Sequence, residues 1–149
     1  MSEQTATATE PTKQHETFPH GKICWTELAS QDIETAKKFY AELLGWALAE
    51  SKAAGMDYTE IVSGDEHIGG MYQMTPEMGG DGPSHWLSYV AVDDVDESAR
   101  RVRELGGKVT VPPMDIPNVG RFCVISDPTG ATISLITLRR EENSENTCA

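Results

Sequence analysis

Two stretches of this chain carry one residue pattern, 62 positions apart. The first, ICWTELASQDIETAKKFYAELLG, runs from Ile23 to Gly45, and the second, HWLSYVAVDDVDESARRVRELGG, runs from His85 to Gly107. The shift sets Asp32 on Asp94, Ile33 on Val95, Tyr40 on Val102, Leu43 on Leu105 and Gly45 on Gly107. An apolar period alone would not also align the flanking glycine, the aspartate and the strand ahead of it. A duplicated strand–helix unit constrains the fold strongly. Neither copy buries its apolar face alone, and two copies packed together leave a cleft where ligands sit.

Each copy opens on a strand, Ile23–Leu28 or Leu87–Val92, alternating or running apolar as a half-buried strand does. A helix follows. In the first, Ile33, Ala36, Tyr40, Leu43 and Leu44 form the apolar stripe and Gly45 the stop; in the second, Val95, Ala99, Val102 and Leu105 do so ahead of Gly106 and Gly107. Asp94 with Glu97 three residues on reads as an N-terminal capping box. These stripes are expected to pack the core. Three shorter strands follow each helix: Trp46–Ser51, Met56–Val62 and Ile68–Met74, then Lys108–Val111, Arg121–Ser126 and Thr132–Leu138. Pro112–Pro113 and Pro117–Gly120 separate the first two of the second set, and Asp127-Pro-Thr-Gly130 is a tight-turn signal before the third. Helices alternate with strands too rarely for a doubly wound sheet. The expected class is α+β, two βαβββ modules forming curved, mostly antiparallel sheets around a cleft. The modules span about 20–74 and 85–138, and the Gly/Pro-rich linker 75–84 is a candidate flap.

At 149 residues the chain suits one domain, expected over 19–138, with polar tails at 1–18 and 139–149 expected to be disordered. A hydrophobic share of 38% against 24% charged residues describes a globular chain rather than a disordered one. No run reaches the roughly 20 apolar residues of a membrane span, and the start lacks the apolar core of a secretory signal. The net charge of −12 would repel phosphate backbones, so nucleic acid is not an expected partner. Cys24, Cys123 and Cys148 make no spaced framework; the first two read as small apolar core residues, and the cytoplasm is the expected compartment.

The doubled βαβββ order, the helix DIETAKKFYAELLGW ending at Trp46, the VDDVDE segment ending at Glu97 and the turn SDPTGA ending at Ala131 resemble the vicinal oxygen chelate superfamily. Glyoxalase I, extradiol dioxygenases, methylmalonyl-CoA epimerase and the bleomycin and fosfomycin resistance proteins belong to it. The resemblance covers about residues 20–138. The segments from His20 to Ser30 and from His85 to Asp94 look closest to a branch known only as glyoxalase-like.

The resemblance implies a divalent metal held by His, Gln or Glu, polarising a carbonyl or stabilising an enolate. Carried over residue by residue, the first ligand position falls on Trp25, ahead of the Phe39–Tyr40 pair. The matching strand position of the second module is Leu87. The Glu of the family's final I-E-L triplet is Ser134 here, between Ile133 and Leu135, and a fourth position falls near Gly70 or Tyr72. Trp and Leu bind no divalent ion, and a serine hydroxyl is a poor ligand beside His or carboxylate. The expectation is therefore no metal at these positions and no cofactor.

Residues two apart on a strand share a face. Trp25 thus brings Ile23 and Glu27 with it, Leu87 brings His85 and Tyr89, and Ser134 brings Thr132 and Ile136. Glu27 and Tyr89 are expected to face one another across the cleft. Arg121, at a strand start, is a candidate partner for an acidic substrate; Tyr58, Glu60 and Tyr72 are further lining candidates, with the faces of Tyr58 and Glu60 left open. The first functional reading is capture of a small organic molecule without chemistry, in the manner of bleomycin resistance proteins. A cofactor-independent enzyme, with Glu27 as base and His85 or Tyr89 as acid, stands beside it. A metal-dependent glyoxalase-type lyase, isomerase or dioxygenase with ligands moved to Glu27, Glu60 and His85 is the alternative class, and a pure interaction module comes third. A homodimer is expected from the resemblance.

Overall fold

A computed structural model describes residues 18–53, 55–78 and 82–139. The expected tails, His15, Cys148 and the centre of the linker lie outside the described residues. The chain runs β1 (Ile23–Ser30), α1 (Ile33–Leu44), β2 (Ala47–Ala53), β3 (Met56–Ser63), β4 (Glu66–Gln73), a 3-10 turn (Pro76–Met78), β5 (His85–Ala91), α2 (Val95–Glu104), β6 (Lys108–Ile116), β7 (Gly120–Ser126) and β8 (Thr132–Leu138). The expected order, strand, helix and three strands, appears twice.

Both modules share one eight-stranded sheet in the order β2-β3-β4-β1-β5-β8-β7-β6. The order reads the same from either edge once the modules are exchanged. In each module the first strand pairs in parallel with the last, β1 with β4 and β5 with β8, while the other pairings are antiparallel. The modules join at the centre through β1 and β5, where Trp25 lies opposite Tyr89 and Glu27 opposite Leu87.

Local chemistry sets the ends of both helices. Asp32 caps α1 by accepting from the Thr35 amide and hydroxyl, at 3.2 and 2.8 Å. Gly45 ends it in the left-handed region, φ 73°, a conformation that costs a residue without a Cβ little. Asp94 caps α2 through the Asp96 and Glu97 amides. The Glu97 carboxylate does not reach back to close a capping box; it pairs with Arg100 on the next turn.

Both helices cover the same face of the sheet. Ile33, Ala36 and Tyr40 of α1 pack with Trp46 and Leu48 on the buried Leu28, Ile61 and Met71. Val95 and Ala99 of α2 pack on Cys123 and Leu135, joined by Val90, Val102 and Ile125. The stripes overrun the sheet at their last turns: Leu43, Leu44 and Leu105 stay exposed, against the expectation that they are core. The strand expected over Lys108–Val111 continues to Ile116 through Pro112–Pro113. Its register slips between Val111 and Met114, and β6 is an edge strand, so the missing proline N–H groups break no ladder. Among the described residues no helix is long and apolar enough to cross a membrane.

Ile61→Ala, which empties a fully buried position, is expected to cost about 2–5 kcal/mol. Leu43→Ala, on the overrunning turn, is expected to stay within about 0.5 kcal/mol. Equal losses in urea denaturation would contradict this division of the α1 face.

Candidate functional site

With α1 and α2 on one face, alternation along each strand assigns a second set of side chains to the face without helices. Trp25 and Glu27 of β1, Leu87 and Tyr89 of β5, Phe122 of β7 and Ser134 of β8 fall there by register, with Tyr58 and Glu60 of β3 and Gly70 and Tyr72 of β4. Glu27 stands at the middle of this face on a central strand.

Two phenols converge on its carboxyl group, with an indole behind one of them. The Tyr58 hydroxyl donates to Glu27 Oε2 at 2.8 Å, and the Tyr89 hydroxyl donates to Oε1 at 2.8 Å. The Trp25 indole N–H donates to the Tyr58 oxygen at 3.0 Å, extending the chain by one link. Glu27 and Tyr89 are therefore diagonal neighbours on adjacent strands, in direct contact, rather than facing each other across a gap. The Phe122 ring lies 6.3 Å from that of Tyr89.

Tyr58 reaches Glu27 only because of a glycine. Its strand β3 is separated from β1 by β4, and its phenol must cross β4 at Gly70, which pairs with Glu27 on one side and Glu60 on the other. A Cβ built on Gly70 would lie 2.0 Å from the Tyr58 hydroxyl. Ring and side chain exclude each other there.

Burial sets the electrostatics. Desolvation raises the Glu27 pKa above its ordinary value, and the two phenol hydrogen bonds only partly oppose this. Tyr58 and Tyr89 are also pushed up, first by burial and then by the adjacent Glu27 charge, so both phenols hold their protons firmly. Tyr72 is raised by burial and by the same carboxylate, which places it within electrostatic reach of Glu27.

The remaining candidates divide. His85 shares the face but is exposed, its Nδ1 2.9 Å from the Pro83 carbonyl oxygen. Glu60 pairs with His67 at 2.5 Å. Thr132 is exposed at the start of β8, and Ser134, fully buried opposite Tyr89, donates its hydroxyl to the Cys123 carbonyl at 2.9 Å. Arg121 does not join the group. It lies on the helix face and pairs with Asp96 of α2 at 2.8 Å and Asp115 of β6 at 3.1 Å. Its parity with Cys123, a core residue, carried that signal, and the same parity marks Phe122, which the sequence reading missed. A groove of about 430 Å³ bordered by His20, Arg101, Leu105 and Leu135 lies against α2 and includes none of the groups around Glu27.

As donors for a divalent ion these positions are poor. Trp25 offers only an N–H, Leu87 no heteroatom, Gly70 no side chain, and Ser134 only a buried hydroxyl whose proton goes to the Cys123 carbonyl. Among the described residues no three His, Cys, Asp or Glu side chains cluster as a ligand set.

Comparison with known proteins agrees with the architecture. CFP32 of Mycobacterium tuberculosis, which carries a glyoxylase name, is 41% identical over 117 residues, covering 78% of this chain and 44% of its own length. The anthracycline biosynthesis protein DauV of Streptomyces sp. is 37% identical over 121 residues, 80% of this chain and 42% of its own. The chain thus spans less than half the length of these curated relatives. Methylmalonyl-CoA epimerase from M. tuberculosis superposes with a TM-score of 0.59 at 17% identity, over 83% of this chain and 91% of that one. The profile of one family matches residues 22–135, and by that match the chain belongs to the Glyoxalase/Bleomycin resistance protein/Dioxygenase superfamily.

Proposed function

We propose that this chain binds a small organic molecule on the helix-free face of its sheet, around Glu27, without a divalent metal at the superfamily's usual positions. The observation that carries the reading is the hydrogen-bonded group of Trp25, Tyr58, Glu27 and Tyr89. A partly buried carboxylate held between two phenols is costly to assemble unless its remaining acceptor capacity meets a ligand. Tyr72, Leu87 and Phe122 supply apolar and aromatic surface beside it, while Thr132 gives a polar point on β8. The donor set described above supports the absence of a metal, since none of Trp25, Leu87, Gly70 and Ser134 is a good ligand.

Capture without chemistry is the better supported form of this function. Tyr89 and Tyr58 hold their protons too tightly for a phenol to serve as acid near neutral pH. The raised pKa of Glu27 favours one second reading, a cofactor-independent enzyme in which Glu27 takes a proton from the ligand and His85 returns it. A relocated metal site on Glu27, Glu60 and His85 has less support, because Glu60 is committed to His67 and Glu27 to two phenols. The net charge of −12 supports the absence of a nucleic-acid partner, and the cysteines without a spaced framework support a cytoplasmic setting. The exposed Phe39, Leu43, Leu44 and Trp86 support pairing with a second copy.

The test begins with metal analysis of the dialysed protein, followed by a thermal-shift screen of small molecules on wild type and Glu27→Gln. Metal well below one ion per chain is expected, with stabilising compounds whose effect shrinks at least about tenfold in affinity in the variant. Stoichiometric zinc, nickel, manganese or iron, or hits indifferent to Glu27, would overturn the reading.

Stability should also report Glu27. Its folded pKa is raised above the 4.5 of an ordinary glutamate, so between that value and its own the folded state binds the extra proton. Wild-type stability relative to Glu27→Gln is then greatest at acid pH, falls as pH rises through this window and levels off above it. A difference that is flat or rises with pH in denaturant titrations would contradict the desolvation of Glu27. For the pairing of two copies, sedimentation at micromolar concentration is expected to show a dimer, and a monomer would exclude it.

A further inference from the structure

We propose that the ligand of this face is an organic cation, an ammonium group carried on an apolar or aromatic body, and not a carboxylate or phosphate-bearing molecule. The inference rests on the reading that the helix-free face is the ligand site, and it names the chemical class that site selects.

Charge sorting between the two faces of the sheet carries it. The face around Glu27 bears Glu27, Glu60 paired with His67, and the exposed His85. By register two lysines fall at its margins, Lys22 opposite Ala91 just ahead of β1, five residues or about 16 Å of strand from Glu27, and Lys108 opposite Ser126 on edge strand β6. Three strands lie between β6 and β1, so that four inter-strand spacings, roughly 19 Å, separate Lys108 from the central strand, beyond the screening length of physiological salt. Several other cations are paired away from this face. Arg121 is held by Asp96 and Asp115, Lys37 by Glu34 and Glu50, Arg100 by Glu97 and Glu104, and Lys52 by Asp57. Among the described residues no Lys, Arg or His forms an ion pair with Glu27. A central carboxylate with its countercharge missing is complementary to a cation and repels an anion.

Ring chemistry points the same way. Trp25, Tyr58, Tyr72, Tyr89 and Phe122 all belong to this face, and all but the buried Tyr89 keep part of their surface open. Aromatic faces carry the negative end of a quadrupole and attract ammonium groups, most strongly where water is partly excluded. Both phenol hydroxyls donate toward Glu27, so neither O–H is directed at an incoming anion. Each carboxylate oxygen accepts one of these hydroxyls and retains a further lone pair for a ligand N–H or the field of a quaternary ammonium. The ligand's charge would thus complete the electrostatics of a group that the protein leaves one cation short.

Three probes sharing a phenyl ring and differing in charge test this: benzyltrimethylammonium, benzyl alcohol and benzoate, titrated into the full chain labelled with 15N. Benzyltrimethylammonium is expected to shift the amides of β1 and β5 and to bind at least about tenfold more tightly than benzyl alcohol, with no saturable shift from benzoate. Glu27→Gln should weaken the cation at least about tenfold more than it weakens benzyl alcohol, and so erase the preference, and Tyr72→Leu should weaken the cation more than the alcohol. Benzyl alcohol or benzoate binding on β1 and β5 as tightly as the cation would overturn the charge selectivity and leave the site reading intact. No shift on these strands from any probe would overturn both, and so distinguish the two failures.

Discussion

The pairing of β1 with β5 is the contact on which the remaining architecture depends. Each module is a four-stranded sheet with one helix, and its first strand is covered along one edge by β4 or β8. Without the partner module the other edge of β1 or β5 would present unpaired backbone groups. Joining these two edges converts a pair of small sheets into one of eight strands and brings both helices to the same side. The side chains reinforce the seam. Glu27 belongs to one module and Tyr89 to the other, and their hydrogen bond crosses the join at its centre. Fold and site are therefore not separable here: the residues best placed to meet a ligand are also those that register one half against the other.

The family context sharpens what is particular to this chain. Its fold neighbours include methylmalonyl-CoA epimerases, one of them solved in complex with methylmalonyl-CoA. The likeness, at 16% identity for that complex, is one of backbone. At the centre of the helix-free face an indole, an isobutyl group and a carboxylate stand side by side, and a tyrosine from β3 and another from β5 tie the carboxylate into a network of directed hydrogen bonds. Such networks fix geometry well because every member constrains the next.

Much of this could be read from the sequence, for identifiable reasons. Period-two and period-3.6 patterns set the elements, and the duplication set their order, because both depend on local residue spacing. Strand parity then placed Trp25, Glu27, Leu87, Tyr89 and Ser134 on one face. The same alternation also decides the neighbours of Cys123, a core residue: it turns Arg121 toward α2, away from a ligand, and sets Phe122 on the face of Glu27. The exposure of Leu43 and Leu44 depends on where the sheet stops, which no helical period encodes. The reach of Tyr58 was out of range altogether. It depends on a strand lying between donor and acceptor and on a position in that strand having no side chain, a relation among three separate segments.

That glycine has a consequence for how the sequence can change. A ring at 58 and a side chain at 70 compete for the same volume, so neither position drifts independently of the other. A histidine or glutamate at 70 would push the Tyr58 ring aside, and with it one of the two donors on Glu27. A chain with neither group has a hole and an under-coordinated carboxylate; a chain with both must swing the ring away from Glu27. The two ways of filling this face thus exclude one another, and a change at either position is felt at the carboxylate between them.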